Sequence, residues 1–553
     1  MFRTRQAPSP TGYLHFGTAR TMLFTQLIAK KNEGTWFLRI EDTDRLRLQP
    51  DAVGSLLGSM DQLGLVPDEG VNNLQKGTQD DFYKIYQDGE YGPYIQSERL
   101  EHYHKYAQIL IDKKLCYWSY ITPQDKEELV TIKQITKKPI NYFQANIQKL
   151  NNKPLTESTA ELNDKVSANL FQSIEQGLKD ELKPDLKFKM LKDSILHTED
   201  VLLGKSSFNL ALEEDFTCIK SDGYPTYHLA HPVDDTMMKT SLIIRSQEWT
   251  SSLPKHVELS KALDFVLPDY MHIPFILGET GNKKMSKRDG NVNIEGYLNK
   301  GYMPEAVINY LAFLGWNPGT EKEIYLSNED FDIDSNISIE LQINSRMKKL
   351  LNNILLDFDQ TKIQKSPARF SIEKLNWYNK EYIKMLTPYE FSYRNATLTG
   401  VKMTEDNNRI LAHILDTTRV TLLSEATLES DTVNDYRLED QSIVAWKKIT
   451  LEESIANLRE ITPVIESIIN KYSTQKSHLL TILNKVNIYQ EYSDLQKAIE
   501  TNIKQWLSDN SKDVGSYLWP LRVILSGQAK SPSPFELLAI INNEEILRRL
   551  KNI

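Results

Sequence analysis

The chain has 553 residues, of which 40% are hydrophobic and 25% charged, as in ordinary globular proteins. Its net charge of −9 does not mark it as a nucleic-acid-binding protein, although a local basic surface could still bind RNA. Two cysteines, Cys116 and Cys218, are too few for a four-thiolate zinc site or a disulfide framework, so we expect a reducing, cytoplasmic setting. We expect neither a signal peptide nor a membrane span, because no apolar run reaches the roughly 20 residues that a bilayer requires.

The N-terminal segment predicts a strand, a rigid turn and the start of a helix. Alternate side chains of an extended segment share one face, which here carries Arg3, Arg5, Ala7 and Ser9. Two prolines keep the turn extended, and a glycine then lets the chain bend back. His15 and Gly17 therefore fall at a helix N-terminus, where free backbone amides and the helix dipole favour a polyphosphate.

The following elements complete a parallel crossover unit. Residues 18–31 carry an apolar stripe with helical spacing, and residues 35–42 alternate in the manner of a strand. The order strand, helix, strand indicates a parallel α/β sheet, in which ligands bind beyond the carboxyl ends of strands. The segments Arg5 to Ser9 and Glu41 to Asp44 lie at such ends and are candidates for the ligand site.

The middle of the chain predicts a return to the same sheet after a long insertion. A helical segment opens at Gln96, whereas residues 131–184 are rich in Asn, Gln, Glu and Lys and have no assignable task. The sheet resumes near Phe188. A helix that includes residues 227–231 would place its first and fifth side chains on one face, and residues 240–245 form a buried strand that ends in a charge.

A flexible basic loop is predicted between Gly278 and Gly290. Taken alone, such a run of cations is usually a solvated surface. From Asn293 onwards the pattern is helical, with apolar stripes at residues 451–469 and 495–506 that core packing is sufficient to explain. On length, about three to four domains are expected in all.

Two short segments resemble the signatures of class I aminoacyl-tRNA synthetases. His15-Phe16-Gly17-Thr18 is similar to the HIGH motif, and Lys284-Met285-Ser286-Lys287-Arg288 is similar to the KMSKS motif. The flanks of the first motif and the segment Ile40-Glu41-Asp42-Thr43-Asp44 are most similar to glutamyl-tRNA synthetases of the bacterial or organellar type. The resemblance spans nearly the whole chain and is weakest at residues 131–215.

The resemblance implies an α/β Rossmann-like catalytic domain with a parallel sheet and an inserted acceptor-stem-binding subdomain. All-α stem-contact and anticodon-binding domains should follow. The corresponding boundaries are 1–95 with 186–295 for the split catalytic domain, 96–185 for the insertion, 296–384 for the stem-contact region and 385–553 for the anticodon-binding domain.

The same resemblance assigns candidate roles to individual residues. The catalytic candidates are His15, Gly17, Lys284 and Lys287. The amino-acid-binding candidates are Arg5, Ala7, Ser9, Glu41, Tyr227, His231 and Arg245. The ATP-binding candidates are His15, Gly17, Thr18, Glu248, Met285 and Lys287, and Arg419 is the candidate for reading the anticodon. His231 stands where the family commonly has Asn, so the pocket edge is either pH-sensitive there or matched in shape alone.

These assignments imply a glutamate–tRNA ligase that activates L-glutamate with ATP and transfers it to the 3′ end of tRNA(Glu). Mg²⁺ would accompany ATP as part of the substrate complex, and no protein-bound metal, zinc included, is expected. The expected partners are tRNA(Glu), L-glutamate and ATP, without a membrane, and the family's habit is monomeric. Arg5 and Arg245 can each hold one carboxylate of glutamate in a forked ion pair, and which guanidinium holds which carboxylate stays open.

Other assignments remain open at this point. The enzyme could also charge tRNA(Gln) with glutamate. A glutaminyl enzyme usually ends in β-barrels and opens with a different turn sequence, whereas the tail here is helical in pattern. A shortened tRNA-modifying relative would lack the C-terminal half. A catalytically silent tRNA-binding paralogue would not need His15, Lys284 and both arginines.

Overall fold

The computed structural model describes residues 2–49, 51–75, 84–151, 184–192, 194–285, 293–401, 403, 406–426, 433 and 436–551. The chain forms two compact units. The first comprises residues 1–295, 311–320 and 357–370, and the second comprises residues 296–310, 321–356 and 371–553. In the described ranges, no helix combines the length and the apolar character needed to cross a bilayer.

Eight strands of the first unit form one mainly parallel sheet. The strands among the described residues are β1 (Arg3–Gln6), β2 (Thr35–Leu38), β3 (Glu69–Gln75), β4 (Lys84–Asp88), β5 (Cys116–Ser119), β6 (Asp185–Phe188), β7 (Ile195–Asp200), β8 (Gly204–Asn209), β9 (Phe216–Ile219), β10 (Leu242–Ser246), β11 (Asp269–Ile273), β12 (Ile276–Leu277) and β13 (Ala368–Arg369). The sheet order is β4-β3-β2-β1-β10-β11-β7-β8, with six parallel inner strands and an antiparallel strand at each edge. The predicted parallel α/β sheet is confirmed.

Helices make up most of the remaining described structure. Those up to the basic loop are α1 (Phe16–Lys31), α2 (Ala52–Gln62), α3 (Leu100–Asp112), α4 (Pro123–Thr136), α5 (Tyr142–Asn151), α6 (Tyr227–Met237) and α7 (Leu253–Ala262). Those after it are α8 (Ile294–Leu298), α9 (Pro304–Phe313), α10 (Ile339–Asp357), α11 (Ile372–Lys384), α12 (Pro388–Thr399), α13 (Asn407–Thr417), α14 (Leu451–Lys471), α15 (Ser473–Thr481), α16 (Ile488–Asp509), α17 (Val514–Ser526), α18 (Pro534–Ile540) and α19 (Asn543–Lys551). The predicted helical C-terminal half is confirmed.

The strand order creates a ligand site between β1 and β10. The chain runs outward from β1 through β2 to β3, and later runs from β10 to β11 in the opposite direction. Helical connections on either side of this reversal leave a crevice at the carboxyl ends of the two central strands. The topology therefore places Arg5 and Arg245, which lie near the carboxyl ends of β1 and β10, beside the same crevice.

The first crossover unit differs from its predicted bounds in two details. Helix α1 begins at Phe16, two residues earlier than predicted, because His15 provides its N-terminal cap. Strand β2 ends at Leu38, and the whole stretch from residue 36 to residue 43 is buried. An inner strand of a parallel sheet is covered on both faces, so alternation in its sequence does not indicate a solvent-exposed side.

Helix α3 shares a hydrophobic core with the parallel sheet. A small antiparallel sheet in the order β5-β6-β9 accompanies helix α3. Tyr103 and Leu110 from α3 belong to the same buried cluster as Val233 of α6 and Ile243 of β10. Because these side chains exclude water together, α3 packs stably against the helix that carries Tyr227. Residues 152–183, which include most of the polar segment without an assigned task, lie outside the described residues.

The C-terminal helices bury the two predicted apolar stripes. Leu458, Ile465 and Ile469 of α14 and Ile499 and Ile503 of α16 are all in one core cluster. Helices α13, α15, α17, α18 and α19 contribute further large side chains to this cluster. The stripes therefore serve packing, as their helical spacing alone indicated.

A buried lysine lies within this helical core. Lys476 of α15 is 8% exposed, and its ammonium donates hydrogen bonds to the carbonyl oxygens of Leu538 (2.8 Å) and Ile541 (2.5 Å) at the end of α18. These bonds satisfy carbonyls that a helix leaves free at its C-terminus. Burial nevertheless penalises the ammonium and lowers the pKa of Lys476 to about 7.

The lowered pKa predicts a specific pH dependence of stability. Below pH 7 the amine is charged in both states, whereas between about pH 7 and 10 the unfolded chain binds more protons. The unfolding free energy of the wild type, relative to that of Lys476→Met, should therefore rise by about 2 kcal/mol from pH 7 to pH 9. Urea unfolding of both proteins at each pH measures this difference, and parallel pH profiles would contradict the assignment.

Candidate active site

A cavity of about 1210 Å³ opens at the carboxyl ends of β1 and β10. Its lining includes most of the residues that the sequence singled out, namely Arg5, Ala7, Ser9, His15, Gly17, Thr18, Glu41, Tyr227, Arg245, Glu248, Lys284 and Met285. Lys287 lies outside the described residues, and Arg419 belongs to the other unit. The two signature segments, far apart in the chain, thus contribute His15 and Lys284 to one cavity.

His15 is held over the first turn of α1. Its Nδ1 accepts a hydrogen bond from the backbone amide of Thr18 (3.3 Å), and its Nε2 lies 3.2 Å from the Thr18 hydroxyl. A β-carbon on Gly17 would lie only 3.3 Å from Cε1 and Nδ1 of the same imidazole. Gly17 therefore provides the space in which the His15 ring folds back against the helix. Because Nδ1 is the acceptor, the ring proton is assigned to Nε2.

Arg5 is already paired within the protein. Its guanidinium donates to both carboxylate oxygens of Asp235, at 3.1 and 3.2 Å. The neighbouring Arg39 donates to the same carboxylate at 2.8 Å and to Glu41 at 3.0 Å. Although burial opposes ionisation, Arg39 and Arg5 hold the pKa of Asp235 well below its ordinary value. One ionised carboxylate therefore serves two buried guanidinium groups.

Glu41 lies on the cavity wall at the edge of this network. It is 7% exposed and accepts its hydrogen bond from Arg39, which is itself fully buried. Burial raises the pKa of Glu41, and the positive charges of Arg39 and Arg5 partly offset that effect. The carboxyl group can thus accept further hydrogen bonds from a ligand in the cavity, as expected for an ammonium contact.

Helix α6 places three side chains of the candidate site along one face. Tyr227, His231 and Asp235 follow one another at intervals of four residues, which align on a helix. The Tyr227 and His231 rings are stacked, with centroids 5.0 Å apart and 5° between their planes. Nδ1 of His231 lies 2.6 Å from a carboxylate oxygen of Asp235. The helix thereby links the cavity wall at Tyr227 to the buried carboxylate below it.

His231 does not form a pH-sensitive pocket edge. Its side chain is fully buried behind Tyr227 and is absent from the described cavity lining. Burial lowers the pKa of His231 to about 3, and the charges of Arg5 and Arg245 oppose protonation further, against the attraction of Asp235. The imidazole is therefore neutral at ordinary pH, and its contacts are with protein groups on each side.

Arg245 has an environment unlike that of Arg5. Its guanidinium donates to Nε2 of His272 (2.9 Å), to the Tyr227 hydroxyl (3.2 Å) and to the Trp249 carbonyl (3.3 Å). Its NH1 also lies 3.1 Å from Nδ1 of His256 and 3.4 Å from Nε2 of His231. Among the described residues, none of these hydrogen-bond partners is a carboxylate. Arg245 therefore presents an uncompensated positive charge to the cavity.

The base of the basic loop forms the opposite wall. The Met285 amide donates to the Ile276 carbonyl (2.8 Å), which extends the short β12 segment into a hairpin. The ammonium of Lys284 contacts the carboxylate of Glu248, and each side chain is 47% exposed. The loop cation and the candidate ATP-binding carboxylate are thus neighbours at the cavity rim.

Arg20 of α1 also lines the cavity. It was not among the residues predicted from the sequence. It is 3% exposed, and its guanidinium donates to the carbonyl oxygens of Pro274 and Leu314. Burial lowers its pKa to about 10, so it remains charged at neutral pH. In the described part of the chain, Arg20 has no carboxylate partner. Its position one turn beyond Gly17 on α1 was the available signal.

Arg419 forms a surface ion pair in the second unit. Its guanidinium lies 2.6 Å from the carboxylate of Glu536, and its side chain is 35% exposed. A partly exposed arginine can exchange such a partner for another acceptor. Its predicted part in reading an anticodon stays a prediction.

Because Asp235 is buried and shared by two arginines, removing its charge should lower the unfolding free energy far more than removing the charge of an exposed aspartate. Asp235→Asn leaves Arg5 without an anionic partner and leaves Arg39 with only Glu41 and Asp234, and breaking a buried ion pair costs about 3–5 kcal/mol. We expect this loss in the unfolding free energy at pH 7. Asp264→Asn is the matched control, because Asp264 is 83% exposed in its pair with Lys113. Urea unfolding should show no measurable change for the control, and equal effects of both variants would contradict the proposed network.

Comparisons with known proteins agree with this site. Residues 1–352 match the family described as tRNA synthetases class I (E and Q), catalytic domain, and residues 460–553 match the anticodon binding domain. A glutamate–tRNA ligase of Flavobacterium psychrophilum is 32% identical over 99% of this chain and 98% of its own. A glutamate–tRNA ligase of Clostridium acetobutylicum is 34% identical over 99% of this chain and 97% of its own.

Solved structures extend the similarity to three dimensions. The crystal structure of a glutamate tRNA ligase from Elizabethkingia meningosepticum, in complex with its amino acid, is 26% identical with a TM-score of 0.69. That likeness covers 100% of this chain and 98% of the other. The full-length matches, the paired signature segments and the shared sheet lead to one assignment. The chain belongs to the glutamate–tRNA ligase family of class I tRNA synthetases.

Proposed function

We propose that this protein is a glutamate–tRNA ligase that activates L-glutamate with ATP and then transfers it to the 3′ end of tRNA(Glu). The observation that carries the proposal is Arg245, a buried guanidinium that faces the cavity with neutral hydrogen-bond partners. A cation in this state favours an anionic ligand, since burying an unpaired charge is unfavourable. The membership of the family and the position of the cavity at the strand reversal support the same reading.

The first step joins the α-carboxylate of glutamate to the α-phosphorus of ATP as pyrophosphate leaves. This chemistry depends on placement and on positive groups directed at the phosphate oxygens. The protonated Nε2 of His15 provides a donor on one wall, where the dipole of α1 adds its positive end. Lys284, and Lys287 by its match to the family motif, provide cations on the other. Magnesium enters with ATP as part of the substrate.

We assign the side-chain carboxylate of glutamate to Arg245. The α-carboxylate is the nucleophile of this step. A forked ion pair with an otherwise unpaired guanidinium would engage both of its oxygens and make it a weaker nucleophile towards the phosphorus. Arg5 is engaged by Asp235 and acts with Ala7 and Ser9 in shaping the wall. Glutamine would leave Arg245 opposite a neutral amide. That mismatch costs about 3–5 kcal/mol, which is sufficient to reject glutamine by a factor of about a hundred or more.

The remaining contacts complete the amino-acid and nucleotide pockets. Glu41 would accept hydrogen bonds from the substrate ammonium, and Tyr227 would orient the ligand over Arg245. Thr18, Glu248 and Met285 line the cavity beside the two signature segments and would contact ATP. Glu248 already contacts Lys284, so binding of ATP would separate this ion pair and let Lys284 contact the phosphates instead.

The tRNA would use the rest of the chain. We retain residues 96–185 for acceptor-stem binding, 296–384 for stem contact and 385–553 for anticodon binding, with the catalytic domain in 1–95 and 186–295. Arg419 would read a base after releasing Glu536, because an arginine fork matches the acceptor edge of guanine. A monomer in a reducing, cytoplasmic setting fits the two described cysteines, which are unpaired.

Charging of purified tRNAs tests the proposal directly. Each of tRNA(Glu) and tRNA(Gln) is incubated with ATP and either glutamate or glutamine, and aminoacylated product is measured. We expect glutamate on tRNA(Glu), with glutamine rejected by about a hundredfold or more. Glutamate on both tRNAs would identify a non-discriminating enzyme. Preference for glutamine would contradict the assignment of Arg245, and absence of any product would indicate a silent tRNA-binding paralogue.

The contact between Gly17 and His15 gives a second prediction. In Gly17→Ala, the new methyl group would displace the imidazole by a few tenths of an ångström or more, so ATP–pyrophosphate exchange should fall about tenfold to a hundredfold. Exchange is measured with tRNA present, because the family resemblance implies that it is required.

Gly58→Ala is the matched control for this substitution. Gly58 also lies in a helix, and a β-carbon there would meet no atom within 4 Å. The Gly58 variant should gain slight helix stability and keep full exchange activity. If Gly17→Ala exchanged pyrophosphate at the wild-type rate, the position of His15 would not matter for catalysis.

A further inference from the structure

Two histidines that no sequence motif singled out complete the surroundings of Arg245. His256 lies on α7 and His272 on β11, and both are fully buried. His272 accepts a hydrogen bond from Nε of Arg245 at 2.9 Å, and Nδ1 of His256 lies 3.1 Å from NH1. With His231, at 3.4 Å from the same NH1, they form a histidine cradle around one guanidinium.

The second nitrogen of each ring fixes which nitrogen faces Arg245. Nδ1 of His272 lies 2.7 Å from the Asp200 carboxylate, and Nδ1 of His231 lies 2.6 Å from the Asp235 carboxylate. His272 therefore carries its proton on Nδ1 and offers a lone pair at Nε2. Nδ1 of His231 also lies 3.1 Å from NH2 of Arg5, and the shorter contact with Asp235 assigns the proton of His231 to Nδ1. An arginine cannot accept a hydrogen bond, so His256 offers its lone pair at Nδ1 and donates from Nε2 to His228, 3.1 Å away.

We propose that His256 and His272 are positioning residues for glutamate recognition, which hold Arg245 in place with neutral acceptors and leave its charge to the substrate carboxylate. The proposal rests on the proposed function. It assigns the selectivity for an acidic side chain to the whole histidine cradle, with Arg245 as the group that touches the substrate.

The contrast between Arg5 and Arg245 supports these roles, in which the histidines position Arg245 and Arg245 contacts the substrate. Both guanidinium groups are buried beside the cavity and both are fixed by several hydrogen bonds. Arg5 is fixed by the carboxylate of Asp235, which also neutralises it, and its NH2 lies 3.1 Å from Nδ1 of His231. Arg245 is fixed by imidazoles and has no described carboxylate partner. A carboxylate in place of either imidazole would satisfy the same hydrogen bond but would compete with the substrate for the charge.

The cradle is also suited to remaining neutral. Burial lowers the pKa of His256 well below its ordinary value, and the nearby charge of Arg245 lowers it further. Burial likewise lowers the pKa of His272, although Asp200 partly opposes that shift. An imidazolium would repel Arg245 instead of accepting its hydrogen bond. The aspartate behind His272 is separated from the guanidinium by the ring, so it orients the imidazole without pairing with the arginine.

Two pairs of isosteric substitutions separate the hydrogen bond from the charge. Asn can place its oxygen where Nδ1 of His256 lies, and Gln can place its oxygen where Nε2 of His272 lies. His256→Asn and His272→Gln therefore keep a neutral acceptor, whereas His256→Asp and His272→Glu place a carboxylate on Arg245. KM values for glutamate and ATP and the glutamate-over-glutamine preference are measured by tRNA-dependent ATP–pyrophosphate exchange.

We expect the neutral variants to keep KM for glutamate within about threefold of wild type, and the acidic variants to raise it at least tenfold. The glutamate-over-glutamine preference should fall with the acidic variants, while KM for ATP stays within twofold in all four. Circular dichroism and thermal unfolding confirm that each variant is folded. The proposal is overturned if the acidic and neutral variants behave alike, or if KM for ATP rises in parallel with KM for glutamate.

Arg245→Gln in the same assay distinguishes failure of this inference from failure of the proposed function. A large rise in KM for glutamate with Arg245→Gln, without a difference between the paired histidine variants, would reject the histidine cradle alone. No change in KM with Arg245→Gln would reject the assignment of Arg245, and with it the observation on which the proposed function rests.

Discussion

The arrangement of the catalytic cavity depends on one buried carboxylate, Asp235. It accepts hydrogen bonds from Arg5 on β1 and from Arg39 directly after β2, and it contacts His231 one turn earlier on α6. These groups come from three segments that are adjacent in space but far apart in the chain. Because the low dielectric of the interior makes an unpaired charge very unfavourable, the three segments can bury these charges only in this mutual position. The cavity wall is therefore fixed before any ligand arrives.

The same site holds a second guanidinium in the opposite electrostatic state. Arg5 is neutralised by its partner, whereas Arg245 is surrounded by three imidazoles, a phenol and a carbonyl group. The difference suits the two arginines to the separate tasks proposed for them, Arg5 in holding the fold and Arg245 in binding the ligand. Sequence alone does not reveal this, since each arginine simply ends a buried strand. The family resemblance assigned both arginines to the amino acid, and both assignments stay predictions.

Local patterns predicted the helices and strands well, because the hydrophobic periodicity of each element is visible within one continuous stretch of sequence. The strand, turn and helix at the N-terminus, the buried strand that ends at Arg245 and the C-terminal apolar stripes were confirmed. The convergent groups were missed, because Asp235, His256 and His272 have no motif and acquire meaning only when three distant elements meet. His231 was predicted at the pocket edge, because helical spacing shows that it shares a face with Tyr227 but does not show how deeply it is buried. A carboxylate four residues beyond His231 was the signal that could have indicated a buried pair.

Arg20 has a consequence for how anions reach the site. The chain as a whole carries a net charge of −9, which repels a nucleotide or a nucleic acid at long range. Arg20 and Arg245 both lie beneath the cavity without a described carboxylate partner, and the dipole of α1 points its positive end at the same space. At physiological ionic strength, fields are screened over about 8 Å. Capture of a polyanion is therefore governed by the potential inside the mouth of the crevice, and the overall acidity of the protein has little influence on it.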